Sequence, residues 1–224
     1  MTSTETGTGP TRRGTYRHGD LRHALLEAGI ELARRGGPDA VVLREATRRA
    51  GVVPNAAYRH FADRLALLRA VSSAAMSALA VAIERELAEL PRSGDPAGAA
   101  RARLRAVGTG YLRFAQAEPG LFRTAFSVPE NLEGAADPAK AGHSGLTPFQ
   151  LLAAALDELV DAGVLPRRRR PGAQFLAWSA VHGLAMLVID GPLRGLPPRQ
   201  TEDITHRLLD MVDQGLEEDG GMTA

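Results

Sequence analysis

Apolar residues recur along almost the whole chain three or four positions apart, and no stretch alternates apolar and polar residues long enough for a half-buried strand. The pattern predicts an all-α fold of about nine helices. Leu21, Leu25, Ala28 and Leu32 stand at i, i+4, i+7 and i+11, a core-facing stripe that opens near Asp20, whose charge suits a helix N-terminus, and stops before Gly36-Gly37-Pro38. A short helix from about Leu43 to Ala50 follows, then Gly51, then another from Pro54 to about Phe61. Proline at a first helical position loses no hydrogen bond. Val42 and Val53 stand where a polar N-cap is usual, so packing must hold both short helices. With Asp63 as N-cap, a helix runs unbroken to about Leu90, long enough to connect two domains.

Residues 91–98 break that helix, and the next, from about Ala99, carries Leu104, Val107, Tyr111 and Phe114 toward a core. A short apolar helix over 121–127 follows, then a segment rich in Pro, Gly and Ala, 128–145, expected to be mobile. A helix over 148–163 precedes an arginine-rich turn and the most apolar helix, 173–190, which must face both its own core and something else. A last amphipathic helix, about 200–216, presents Ile204, Leu208, Met211 and Val212 on one side. The expected domains are a disordered lead over 1–15, a small unit over 16–62, a larger one over 63–218 and a flexible tail over 219–224.

Composition removes several classes. The 224 residues include no cysteine, which excludes disulfides, thiolate zinc sites and cysteine nucleophiles. The lead lacks the apolar centre of a signal peptide, and the run 175–189 is shorter than the roughly 20 residues a membrane span needs, so the expectation is cytoplasmic with no membrane partner. Net charge is +1, but unevenly placed: residues 1–62 hold 10 Arg against 6 Asp/Glu, giving +4, and the remainder 17 Lys/Arg against 20 Asp/Glu, giving −3. Such asymmetry points the basic segment toward nucleic acid.

Residues 44–61 sharpen that indication. Two short helices joined through a glycine meet the needs of a helix-turn-helix, whose second helix lies in the DNA major groove. Ala46 and Ala50 keep the first helix narrow at the crossing, and Tyr58 and Phe61 are expected to lock the pair against the helix before it. Arg44, Arg48, Arg49, Arg59 and His60 exceed what packing requires, and guanidinium and phenol groups suit phosphate oxygens. Asn55 can pair with adenine and Arg44 with guanine, whereas Pro54, Ala56 and Ala57 offer only apolar contact. With so few base readers, half-site spacing and backbone contacts are expected to carry much of the affinity, with a steep loss as salt rises.

Residues 16–71 resemble the DNA-binding domain of TetR-family transcriptional regulators, most specifically in Ala-Gly-Val at 50–52, Tyr-x-His-Phe at 58–61, and Asp63, Leu65 and Leu68. The resemblance implies phosphate contacts from Tyr58, His60 and Arg64, and groove access for Arg44. Val42 and Val53 depart from the Ser or Thr usual there, which removes one such contact at Val53. The segment 178–193 is similar to the Trp, His-Gly signature of the WHG subgroup of TetR C-terminal domains. Together these imply a homodimer through the last two helices, a palindromic double-stranded operator and a small apolar effector in the C-terminal domain. A ligand-responsive repressor, with neither catalysis nor cofactor, is the resulting expectation.

Tyr111, Phe114, Phe126, Trp178, His182 and Met186 are the candidates for the effector site, although aromatics and Met at helical spacing are more often plain core. His182 reads first as a satisfied core or interface histidine and second as a ligand contact. Beside Ser179 it forms no nucleophile elbow, and His143 and His206 have no metal-like spacing. Glu84, Glu86 and Glu89 with Arg85 read as a solvated helix face, and 167–170 as a solvated turn. Two rivals stand beside the repressor: an all-α carrier or enzyme with an incidental basic unit, and a regulator without a small-molecule effector.

Overall fold

Leu25, Ala28 and Leu32 bury one side of the first helix, as their spacing predicts, and the chain builds outward from it. The computed structural model describes residues 18–91 and 94–217, apart from the side chains at 18–20, 54 and 217. The expected lead, the tail and the charge of Asp20 at the first helix start therefore lie outside the described residues. Among the described residues there are nine α-helices and no strand: α1 (His18–Gly36), α2 (Leu43–Arg49), α3 (Pro54–Ala57), α4 (Arg64–Ala88), α5 (Pro96–Ala117), α6 (Pro119–Ala125), α7 (Pro148–Asp161), α8 (Ala173–Ile189) and α9 (Pro198–Glu217). The all-α fold is thus as expected. α1, α2 and α3 form an N-terminal head; α5 is the centre of the body, packed on α4, α7, α8 and α9.

The third helix is shorter than its pattern predicts. Its last residue, Ala57, accepts from both His60 and Phe61 N–H at 2.9 Å, so residues 58–60 form a tight turn instead of a second helical turn. Ala57 and Phe61 reach the core across that turn, and Arg22 of α1 stacks 5.3 Å from the Phe61 ring centre. Gly51 takes φ +67° between α2 and α3, a conformation that favours glycine.

α4 joins head and body. Asp63 caps it by accepting from Ala66 N–H at 2.7 Å. Along it Leu67, Val71, Ala75, Leu79 and Ile83 are all buried. Steps of four residues overshoot the 3.6-residue turn by about 40°, so the buried face swings about 160° from Leu67 to Ile83. Leu67 and Val71 face Gly29 of α1, whereas Ile83 lies under Gly110 of α5. By length and composition α4 could cross a membrane. Here that apolar character serves one continuous core that runs from the head into the body.

α5 starts earlier than expected because Asp95 caps it, accepting from Ala97 and Gly98 N–H with Pro96 in the first turn. α7 opens on a capping box, Thr147 with Gln150. The segment expected to be mobile is a strap with 3-10 turns at Leu132–Ala136 and Pro138–Lys140. Ser77 donates to Ala141 O at 2.6 Å, and the Glu84 carboxylate accepts from His143 N–H, Ser144 N–H and the Ser144 hydroxyl. Glu84 is therefore a tether, not part of a solvated face. Burial opposes its charge, but the bonds from Ser144 and His143 hold its carboxyl below the usual range. Glu86, read the same way, pairs with Arg113 of α5 at 2.7 Å.

The head meets the body a second time at α6. A Cβ on Gly120 would lie 2.3 Å from Ala33 O and 2.5 Å from Arg34 O, so only glycine lets α6 approach the end of α1. Arg34 binds Glu118 at the same contact, at 3.0 Å. Because the obstructing atoms are backbone, Gly120→Ala is expected to lower the free energy of unfolding by about 1–3 kcal/mol. Urea denaturation checks this, and an unchanged midpoint would show that the contact yields freely.

Candidate functional site

The outer face of the head is polar where its inner face is packed. Tyr58 is 57% exposed, with Asn55, Arg44 and Arg59 exposed around it and His60 and Ala56 half-buried. Pro54 opens α3; its side chain lies outside the described residues. Tyr58 was expected to lock the short helices, but only Phe61 does so, since the turn over 58–60 sends the tyrosine outward. Val53 is 68% exposed, an apolar surface where a hydroxyl would be usual.

The arginines of the head divide into two groups. Arg48 binds both oxygens of Glu45 at 2.9 and 2.6 Å, and Arg49 binds it at 3.2 Å. The hydrogen bond from Arg48, aided by Arg49, brings the Glu45 carboxyl down to about 2. Arg64 donates to Val41 O at 2.9 Å and Pro38 O at 2.8 Å, tying the start of α4 to the loop before α2. Arg44 and Arg59 make no ion pair among the described residues.

In the body, α5, α6 and α8 converge on an aromatic cluster. Trp178 and His182 lie one turn apart on α8, and both meet the Tyr111 hydroxyl: the indole N–H donates to it at 3.1 Å, and His182 Nδ1 lies 2.8 Å away. An indole can only donate. The buried Tyr111 hydroxyl therefore accepts from Trp178 and shares a second hydrogen bond with His182 Nδ1. Burial raises the Tyr111 hydroxyl above its ordinary value and lowers His182 below its own, so both stay uncharged near neutrality. Phe122 stands edge-on to Tyr111 at 5.4 Å, and Phe126 edge-on to His182 at 4.7 Å. His182 is thus hydrogen-bonded within this cluster, and the relay accounts physically for a Trp and a His at this spacing.

Beside the cluster lies a cavity of about 530 Å³. Tyr111, Phe126 and Trp178 form its floor, and Leu104, Phe149 and Leu209 bring α5, α7 and α9 into its walls. Of the six residues the sequence nominated, Tyr111, Phe126 and Trp178 line it. His182 sits behind Tyr111, Phe114 is packed in the core, and Met186 is exposed on α8, so these three are not lining residues. The strap contributes Glu130 and Lys140, and α5 contributes Arg101 and Arg105. Sequence reasoning missed Phe149 and Lys140. The capping box at Thr147 fixes the register that turns Phe149 inward, but nothing in the sequence links the strap to the cavity.

Two family models match the chain. One, for bacterial regulatory proteins of the tetR family, covers residues 25–71. The other, for the tetracyclin repressor-like C-terminal domain, covers 104–212, which includes Trp178, His182 and Gly183. A comparison with curated proteins finds no match. Among solved structures, a protein with unknown function from Rhodococcus sp. RHA1 is similar over 91% of this chain and 98% of its own, with 28% identity and a TM-score of 0.67. The TetR-family regulator PfmR from Thermus thermophilus aligns over 87% of this chain and 96% of its own, at 21% identity and a TM-score of 0.55. A TetR variant from Acinetobacter baumannii AYE, solved in complex with minocycline, aligns over 86% and 94%, at 19% identity and 0.54. The chain belongs to the TetR family, and it is a DNA-binding transcriptional regulator.

The hydrogen-bond relay sets two expected outcomes. Tyr111→Phe leaves both the Trp178 indole N–H and His182 Nδ1 without their partner and is expected to lower stability by about 1–3 kcal/mol. Because the folded protein keeps His182 neutral and the unfolded chain protonates near pH 6.5, the contribution is complete above about pH 6.5 and shrinks as pH falls below it. Thermal unfolding between pH 7.5 and 5.5 checks the sign, with His182→Gln expected to flatten the acid slope; an unchanged slope would remove His182 from the account.

Proposed function

We propose that this regulator is a cytoplasmic homodimeric repressor, released from a palindromic operator when a small, largely apolar molecule enters the body. The cavity carries the reading: its walls come from α5, α7, α8 and α9, its rim includes Met76 and Ile83 of α4, and α4 leads directly to the head. A site of this size and apolarity suits a small ligand. The minocycline complex of the Acinetobacter baumannii TetR variant supports it as a precedent in the same fold. To act, the ligand must bind the operator-free arrangement more tightly, and it shifts the equilibrium only by that difference. α4 is about 37 Å long, so a tilt of about 5° moves its end by roughly 3 Å, enough to spoil both half-sites together.

In this reading residues 16–62 are the DNA-binding domain and 63–218 the effector and dimer domain. Asn55 and Arg44 read base edges while Pro54 and Ala56 supply apolar contact; Tyr58 and His60 contact phosphate. Arg64 reaches a phosphate with the guanidinium N–H groups left beyond its two carbonyl bonds. Dimerisation uses α8 and α9. Leu176, 72% exposed, Ser179, Gly183 and Leu187 follow one side of α8, and Met211 of α9 is exposed as well. The small residues between the two leucines admit a partner helix closely. A twofold pair spaces the reading helices by about one DNA turn, roughly 34 Å.

Mobility shifts with the promoter beside its own gene, at low and high salt, test the whole. Retention indifferent to sequence would favour an all-α carrier or enzyme instead, and a panel of apolar compounds that never moves the melting temperature would favour a regulator without an effector. Asn55→Ala is expected to lose about 1–3 kcal/mol of discrimination at one base pair, whereas Tyr58→Phe weakens the operator and its single-base variants alike. An Asn55→Ala protein that discriminates as before would place base reading elsewhere. Leu176→Glu with Leu187→Glu is expected to give a monomer by sedimentation and to lower operator affinity by about a thousandfold or more; a dimer that persists would move the interface off α8.

A further inference from the structure

We infer that the effector is an uncharged, mostly apolar molecule bearing one strong hydrogen-bond acceptor, a carbonyl oxygen, which it sets against the ammonium of Lys140. The inference rests on the cavity being the effector site and adds the chemistry of its occupant.

The floor of the cavity is closed to polar recognition. The indole N–H of Trp178 and the hydroxyl of Tyr111 are spent on each other and on His182, so they offer a ligand only their ring surfaces. Polar recognition must come from the strap and the mouth. There Lys140 is 5% exposed and lines the cavity from the end of its 3-10 turn. An ammonium carries three donors. Two are met, by an ion pair with Glu130 and by Gly134 O at 2.6 Å, and no third acceptor stands among the described residues. A donor left unmet on a buried cation is costly, and an entering oxygen acceptor relieves that cost through a charge-assisted bond.

The same residues argue against a charged head group. Arg101, Arg105 and Lys140 line the cavity beside Glu130 and Asp213, and Arg105 already pairs with Asp210. The three cations of the lining stand against the two carboxylates of Glu130 and Asp213, with Asp210 outside the lining neutralising Arg105, so little net field selects an ion, and a ligand carboxylate on Lys140 would lie beside that of Glu130. The strap that carries Lys140 is fastened to α4 by Ser77 and Glu84, so an acceptor drawn to Lys140 pulls on the helix that leads to the head.

Trp178 is the single tryptophan and lines the cavity, so its indole N–H resonance reports occupancy in the full-length protein whatever the ligand's optical properties. Tetralin, tetralone and the corresponding ring carboxylate share one apolar body and differ in the head group. Tetralone is expected to bind about tenfold more tightly than tetralin in the wild type. The gap closes in Lys140→Met and in the double variant Glu130→Gln/Lys140→Met, which leaves no carboxylate unpaired if the single variant folds poorly. Equal binding of tetralone and tetralin, a preference that survives in the double variant, or tightest binding of the carboxylate each overturns the inference while leaving the cavity an effector site. A resonance moved by none of the three ligands overturns the effector reading itself, and this inference with it.

Discussion

Leu67 and Val71 pack against the head, and Ile83, on the far side of the same helix, packs within the body, all in one continuous core. A rigid helix buried at both ends cannot shift at one without shifting at the other, because packed interiors have few voids to absorb the movement. The drift between a four-residue step and a 3.6-residue turn is what allows a continuous apolar helix to face the head at one end and the body at the other. Gly120 adds a second point of contact, where α6 rests on the backbone of α1. Head and body are thus coupled along two lines, one through α4 and one through α6, and Ser72 bonds them together by donating to Ala125 O at 3.0 Å.

Both lines end at the cavity. Phe122 and Phe126, on and just after α6, pack edge-on against the Tyr111–His182 pair that forms and backs its floor, and the strap at its rim is tied to α4 by Glu84. Arg123 of α6 also binds Asp190 at the end of α8, at 2.7 Å, which holds Asp190 below the usual carboxylate range. The cavity is therefore lined by side chains from both lines at once. The fixed element between them is the Trp178–Tyr111–His182 relay. Its hydrogen bonds join α5 to α8 beneath the cavity.

The parts of this arrangement that follow local rules were legible in the sequence. Periodicity located the helices, Gly51 marked the turn, and Asp63 marked the start of α4, because each is decided by residues within one helical turn. Arrangements decided by distant partners were not. Tyr58 reads as core from its aromatic ring, yet the tight turn after Ala57 sends it to the surface. Glu84 reads as solvated until the strap, some 60 residues later, closes over it. Three of the six nominated cavity residues line the cavity; Phe114 and Met186 share their composition and differ only in the direction each faces, which tertiary packing sets.

Charge shows the same limit, with a consequence for how the head meets DNA. A count over the first 62 residues gives +4 and suggests a broadly attractive surface. In the folded head, Glu45, already subtracted in that count, holds Arg48 and Arg49 in place, and Arg64, just beyond the counted residues, is anchored by two carbonyls at the base of α4. Among the described residues of the reading unit, the cations without an ion pair are Arg44 and Arg59, while Asn55 and Tyr58 are neutral donors. Counterion release scales with the number of cations that reach phosphates and not with net charge, so the placement of each arginine matters more than the count. Neutral hydrogen bonds act only at contact distance and in one orientation. Contact through such groups depends on accurate placement of the head, which α4 and α6 both join to the body.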